Sequence, residues 1–94
     1  MDIKTKPKLL RELANSVDSP WEFIEALAAL EGLSMQQVAE RAGITAAHYY
    51  VSKNQKNMGI SVALKFSNAF EIDPNILNRV LADFNLRKII NRQQ

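Results

Sequence analysis

A small residue and a glycine four positions apart constrain the fold of this chain more than any other feature. They are Ala39 and Gly43, within the stretch SMQQVAERAGITAAHYYVSK. Two helices that cross closely need a small side chain at the contact, and glycine can adopt the positive φ that a tight turn requires. Ile44 then anchors the turn, and Tyr49 supplies a large inward side chain on the following helix. This spacing predicts a helix-turn-helix over residues 34–53.

Helix signals also fill the rest of the chain, and the sequence contains no strand pattern, repeat or low-complexity segment. Apolar residues recur at helical spacing, and each run follows a residue that favours a helix start. Ser19 with Glu22, and Ser34 with Gln37, each predict a capping box. We therefore expect an all-α chain, folded as a compact bundle of five to six short helices. The predicted helix starts lie at Pro7, Ser19–Pro20, Ser34, Thr45, Ser61 and Asp73–Pro74.

Composition restricts the classes of protein that fit this pattern. The 94 residues leave room for one small domain, and 47% of them are apolar, as in a packed globule. The chain has no cysteine and one histidine, which argues against disulfides and a structural zinc site. No apolar run approaches the ~20 residues of a membrane span, and the first residues lack a signal-peptide pattern. We expect a cytoplasmic protein with no cofactor, no metal, no membrane association and no catalytic residues, hence not an enzyme.

The basic residues are segregated, although the formal net charge is only +2. Segregated positive charge is compatible with a polyanionic partner, but from charge alone ordinary solvated surface charge is the favoured explanation. The basic clusters are Lys4, Lys6, Lys8 and Arg11 near the N-terminus, Lys53 and Lys56 after the predicted turn, and Arg87, Lys88 and Arg92 near the C-terminus.

Residues 20–77 resemble the five-helix DNA-binding domain of the Cro/phage-repressor (Xre-type) family. EGLSMQQVAERAGIT is similar to its second helix and turn, and ISVALKFSNAFEIDPNIL to its fourth helix and the ending that follows. The tail ILNRVLADFNLRKI resembles, over fewer residues, the C-terminal segment of HigA-type antitoxins. The resemblance implies a lambda-repressor-like bundle with an added N-terminal helix. Its parts are a basic arm and extra helix at 1–18, the helix-turn-helix DNA-binding domain at 19–82 and a helical tail at 83–94.

The resemblance further implies a sequence-specific, double-stranded DNA-binding transcriptional regulator, acting as a repressor, with recognition helix 45–53 in the major groove. Met35 and Ala46 depart from the family pattern, because glutamines are usual at both positions. Gln36 can replace the phosphate contact that the first of these glutamines makes. The implied DNA-binding residues are Gln36, Gln37, Thr45, Ala46, Ala47, His48, Tyr50, Val51, Lys53, Asn54 and Lys56.

The predicted recognition helix can contact bases without arginine or glutamine. Alanine, valine and the Thr45 methyl group can pack on thymine methyl groups in the major groove. His48 can hydrogen-bond a purine edge, and the Tyr50 hydroxyl can reach a phosphate or a base. Each of these contacts discriminates only weakly between base pairs, so binding would depend more on phosphate contacts and on the shape of the DNA. The alternative is that His48 is an ordinary surface residue and that Tyr50 and Val51 mark a protein interface.

Partners follow from the size of the predicted domain. One such domain contacts about half an operator turn, so we expect a homodimer on a palindromic site. The alternative functions are an antitoxin that also covers a cognate toxin protein, and a protein-interaction module without DNA affinity. The candidate dimer residues, which closure of the monomer core also explains, are Ile76, Leu77, Val80, Leu81, Phe84, Ile89 and Ile90, with Leu9, Leu10 and Leu13 as a second set.

Overall fold

The computed structural model describes residues 6–55 and 58–92, which form six α-helices and no strand. The predicted all-α class is therefore confirmed for these residues. None of the six helices is both long enough and apolar enough to cross a membrane. They are α1 (Pro7–Asn15), α2 (Pro20–Leu30), α3 (Met35–Ala42), α4 (Ala46–Gln55), α5 (Ile60–Phe70) and α6 (Pro74–Arg92).

Side-chain caps fix the starts of α2 and α3. Ser34 Oγ accepts a hydrogen bond from the Gln37 amide at 3.2 Å, and Gln37 Oε1 accepts one from the Ser34 amide at 2.9 Å. This is the predicted capping box of α3. At α2, Ser19 Oγ accepts from the Glu22 amide, but the Glu22 carboxylate accepts from the Asp18 amide at 2.8 Å. The reciprocal pair predicted for α2 is therefore wrong, because the carboxylate reaches one residue further back.

The fifth helix begins at Ile60, one residue before the predicted start at Ser61, and ends in a left-handed turn. Glu71 adopts a φ of 58°, and the Ile72 amide donates to the Ser67 carbonyl at 2.9 Å. Glycine is usual at such a helix end because a Cβ atom destabilises the left-handed conformation. Glu71 is therefore a point of local backbone strain.

Trp21 lies in the centre of the core and is fully buried. Its ring packs edge-to-face against Tyr49 of α4 and Phe66 of α5, with centroids 5.5 Å apart in each pair. Such aromatic pairs contribute about 0.5–1.5 kcal/mol each beyond their area burial. Leu10 is also fully buried, so α1 belongs to the core. This leucine is therefore covered within one chain and is not available to a dimer partner.

The apolar stripe of α6 packs into the same core. Leu77, Val80, Leu81 and Phe84 are all less than a tenth exposed. These four residues therefore close the monomer core and leave little surface for a partner. Beyond them α6 continues unbroken to Arg92, and its exposed apolar residues are Leu86, Ile89 and Ile90.

A side chain from the last helix closes the end of the first. The Arg87 guanidinium donates to the Ala14 carbonyl at 3.0 Å and to the Val17 carbonyl at 3.2 Å. It also lies over the Phe84 ring, 4.1 Å from the centroid. The Ala14 carbonyl also accepts from the Val17 amide at 3.4 Å, and Val17 lies two residues beyond α1, so the guanidinium binds the turn that follows the end of α1. Arg87 is thus a structural link between α1 and α6 and does not contribute a free surface charge.

Candidate nucleic-acid interface

The turn between α3 and α4 has the geometry that the sequence predicts. Gly43 adopts φ 70° and ψ 33°, and the Ile44 amide donates to the Ala39 carbonyl at 2.9 Å. Ala39 and Ile44 are both buried. A Cβ atom at Gly43 would meet no heavy atom within 4 Å, so its positive φ, and not lack of space, calls for glycine there. The third helix therefore ends at Ala42, and a left-handed residue at Gly43 leads into α4, which begins at Ala46.

The fourth helix presents most of the predicted reading residues on its outer face. Tyr50 is 62% exposed and Val51 is 56% exposed. Tyr49 lies on the opposite, inward face of the helix and is buried, as predicted for the residue that anchors α4 to the core. The predicted residues that lie exposed on or beside this helix are Thr45, Ala46, Ala47, His48, Tyr50, Val51 and Asn54, and Gln36 and Gln37 are exposed on α3.

Two of the predicted contact groups already take part in helix capping. Thr45 Oγ1 accepts a hydrogen bond from the His48 amide at 3.1 Å, which fixes the start of α4. Gln37 Oε1 accepts from the Ser34 amide in the capping box of α3. Thr45 is exposed as a residue, whereas the Gln37 oxygen is committed to its own helix. Gln36 is consequently the more available amide at the start of α3.

A carboxylate on α2 contacts two side chains of α4 on the side that faces the protein. Glu25 Oε1 accepts a hydrogen bond from the Tyr49 hydroxyl at 2.8 Å and pairs with Lys53 Nζ at 2.6 Å. The ammonium also lies 5.8 Å from the centre of the Tyr49 ring. We call these three residues the Glu25 cluster. It fixes the rotation of α4 about its axis and engages Lys53, which sequence reasoning assigned to DNA.

The Glu25 cluster sets the charge state of each of its members. Burial opposes ionisation of the Glu25 carboxyl, but the hydrogen bonds from Lys53 and Tyr49 outweigh it and lower the pKa of Glu25. Burial and the bond to Glu25 together raise the pKa of Tyr49 to about 12. The same carboxylate raises the pKa of Lys53. At neutral pH the cluster is therefore a carboxylate shared by an ammonium and a neutral phenol.

A groove of about 350 Å³ runs between α3 and the start of α4. Apolar side chains line most of it, and one carboxylate, Glu40, stands among them. Together with Glu25, Glu40 is an acidic residue at this face that sequence reasoning did not single out. Glu25 could not be found from spacing alone, because its partners lie on another helix. The lining residues are Met35, Gln36, Ala39, Glu40, Ile44, Thr45, Ala46, Tyr49 and Tyr50.

The described part of this face is less basic than the sequence suggests. Lys53 is paired with Glu25, and Arg41 at the end of α3 is exposed. The predicted contact Lys56 lies outside the described residues, as does Lys4 of the predicted basic arm. The face can therefore offer methyl groups, an imidazole, a phenol and amides to a partner, with few free cations.

No group of three His, Cys, Asp or Glu side chains placed to hold a metal ion occurs within residues 6–55 and 58–92. Comparison of the chain with protein-family models, with curated proteins and with solved structures gave no match.

Proposed function

We propose that this chain binds double-stranded DNA through α4 and acts as a transcriptional regulator of the Cro/phage-repressor type. One observation carries the proposal: a positive-φ turn at Gly43 precedes a helix whose outer face is exposed while Tyr49 anchors it to the core. A protruding helix of this kind fits the major groove, which is about 12 Å wide.

The side chains on α4 favour a particular reading of DNA. The methyl groups of Ala46, Ala47 and Val51 match the C5-methyl groups of thymine, and His48 and Tyr50 add hydrogen bonds. All five side chains are exposed. We therefore expect operators with thymines at the contacted steps and modest discrimination at each position.

Phosphate contacts are expected to be few. Gln36 offers an exposed amide at the start of α3, while Lys53 must leave Glu25 before it can reach a phosphate. Each phosphate neutralised changes the slope of log K against log salt by about −0.9. We therefore expect a shallower salt dependence than a strongly basic domain would give.

A homodimer on a palindrome remains the expected assembly, and the end of α6 is its best candidate surface. Leu86, Ile89 and Ile90 are exposed there at helical spacing. If the same surface instead covers a co-encoded protein, the chain is an antitoxin that also represses its operon. Size-exclusion chromatography with light scattering, alone and after co-expression with a neighbouring reading frame, separates the two assemblies.

The experiment that tests DNA binding is selection of bound duplexes from a random pool, followed by mobility shifts at two salt concentrations. His48→Ala and Tyr50→Ala should change the preferred sequence and weaken binding to it by about tenfold each. Asn78→Ala, an exposed residue of α6, serves as the control. Unchanged preference in both α4 variants would show that α4 is not the reading helix.

A protein-interaction module is the second candidate, favoured by the neutralised Lys53 and the exposed Tyr50 and Val51. Aromatic and apolar residues at the centre of an exposed patch are typical of protein interfaces. Failure to retain any duplex at about 50 mM salt, where nonspecific electrostatic binding is strong, would favour this function over DNA binding.

A further inference from the structure

A second groove, of about 470 Å³, lies between α1 and the first turns of α6, and three cationic side chains line it. Its polar lining comprises Lys8, Arg11, Glu12, Asn15, Asn75 and Arg79. Neither the recognition helix nor the Glu25 cluster contributes to it. Two guanidinium groups, one ammonium and two amides thus face one concave space together with a single carboxylate.

The three cations of this groove form no ion pair within the part of the chain that the structure describes. Lys8, Arg11 and Arg79 are all exposed, and no hydrogen bond or ion pair joins them to another described residue. Glu12 offsets one of the three charges, which leaves an excess of two. Like charges held close together repel, so an anion with two or more negative charges stabilises this arrangement.

The walls of the groove are held in a fixed relation. Lys8, Arg11 and Asn15 follow one another at helical spacing on a single face of α1. Arg87 of α6 donates to the Ala14 carbonyl of α1 and to the Val17 carbonyl just beyond it, so the two helices are tied together. A site whose groups are positioned before binding loses less entropy when the ligand arrives.

The N-terminus of α6 does not by itself account for the site. Asp73 Oδ1 already accepts from the Asn75 amide at 2.9 Å, so the end of that helix carries its own carboxylate. Recognition must come from the side chains. Guanidinium groups bind phosphate oxygens in a bidentate manner, and lysine adds a point charge.

We propose that the α1–α6 groove binds a small organic phosphate carrying at least two negative charges. Its volume falls within the range of about 300–1,000 Å³ that is usual for small-molecule sites. A DNA backbone also carries phosphate groups. A duplex is convex and binds to an open surface, however, whereas a concave groove is suited to enclosing a small ligand. The half-buried Ile76 and the stems of the arginines offer apolar contact to the organic part. This proposal does not depend on DNA binding by α4.

The test is titration of the full chain with adenosine 5′-monophosphate and with inorganic pyrophosphate, at constant ionic strength. Calorimetry should give saturable binding, and the side-chain amide NMR signals of Asn15 and Asn75 should shift. Arg11→Gln and Arg79→Gln should each weaken binding by about tenfold. Arg41→Gln removes another exposed arginine, outside the groove, and should leave binding unchanged. The fluorescence of buried Trp21 verifies that each variant is folded.

Two outcomes would overturn the proposal. The first is no saturation by either probe up to about 10 mM, or equal weakening by Arg41→Gln, since the binding would then be absent or merely a response to net charge. The second is that Arg11→Gln and Arg79→Gln weaken binding of a duplex while adenosine 5′-monophosphate does not bind. The groove would then follow a nucleic-acid backbone and would not hold a small ligand.

Discussion

Replacing Glu25 by glutamine removes the charge that holds α4 and Lys53 while keeping the shape of the side chain. The carboxylate accepts from Tyr49 at 2.8 Å and from Lys53 at 2.6 Å. A hydrogen bond to a charged group contributes about 1.5–3 kcal/mol and one between neutral groups about 1. The ion pair adds at most ~1 kcal/mol, because Glu25 is 31% and Lys53 42% exposed and water screens the pair.

We therefore expect Glu25→Gln to lower the free energy of unfolding by about 1–2 kcal/mol at neutral pH. For a chain of this size the melting temperature should fall by roughly 4–10 °C. The folded pKa of Glu25 is lowered from 4.5, so its contribution is present above that value and lost as pH falls. Parent and variant should thus converge in stability at acid pH. Urea and thermal unfolding, followed through Trp21 fluorescence, measure both effects.

The same substitution has an opposite expected effect on DNA binding. Under the proposed DNA-binding function, a freed Lys53 can make one further phosphate contact, so the slope of log K against log salt should steepen by about 0.9. Adding Lys53→Gln to Glu25→Gln should abolish that change. Glu71→Gln, which alters charge equally at the exposed end of α5, is the control. Equal melting temperatures of parent and Glu25→Gln at neutral pH would refute the energetic reasoning, and an unchanged slope would refute the role given to Lys53.

Three further substitutions and conditions have defined outcomes. Arg87→Ala should destabilise the fold by about 1–3 kcal/mol in urea unfolding, and Arg87→Lys should restore little, because an ammonium lacks the fork that reaches two carbonyls. Glu71→Gly should raise the melting temperature by roughly 2–6 °C. Glycine relieves the strain of the left-handed conformation in the folded state, and this gain exceeds the loss of stability that glycine causes by adding conformational entropy to the unfolded chain. Stability should decline as pH rises from about 10 to about 12, because the Tyr49 pKa is raised from 10.0 to about 12 and folding favours the neutral phenol. Tyr49→Phe should lack that decline in a pH series of unfolding curves.

Features that depend on neighbouring residues could be predicted from the sequence. The capping box of Ser34 and Gln37 and the left-handed turn at Gly43 each involve groups within five positions of one another. Their chemistry is therefore local, and residue type at fixed spacing is enough to place them. The same local signals located six helices, apart from a shift of one residue at Ser61.

Features that depend on packing could not be predicted in this way. Tyr49 and Glu25 are 24 positions apart, and Arg87 and Ala14 are 73 apart. Their pairing is decided by how α2, α4 and α6 lie against one another, which no periodicity encodes. For this reason the sequence did not predict the ion pair between Lys53 and Glu25, and it placed Arg87 in a basic surface cluster. The sequence also left open whether the apolar stripe of α6 packs in the monomer core or against a partner, because an apolar helix face is suited to both.

The link from Arg87 to α1 implies an order of events during synthesis. The first helix is made before the last, and the hydrogen bond to the Ala14 carbonyl needs a guanidinium that is made more than seventy residues later. Docking of the first helix should therefore be among the last steps of folding. Nascent chains halted before Arg87 should show rapid amide exchange in residues 7–15, and chains halted well beyond it should show protection.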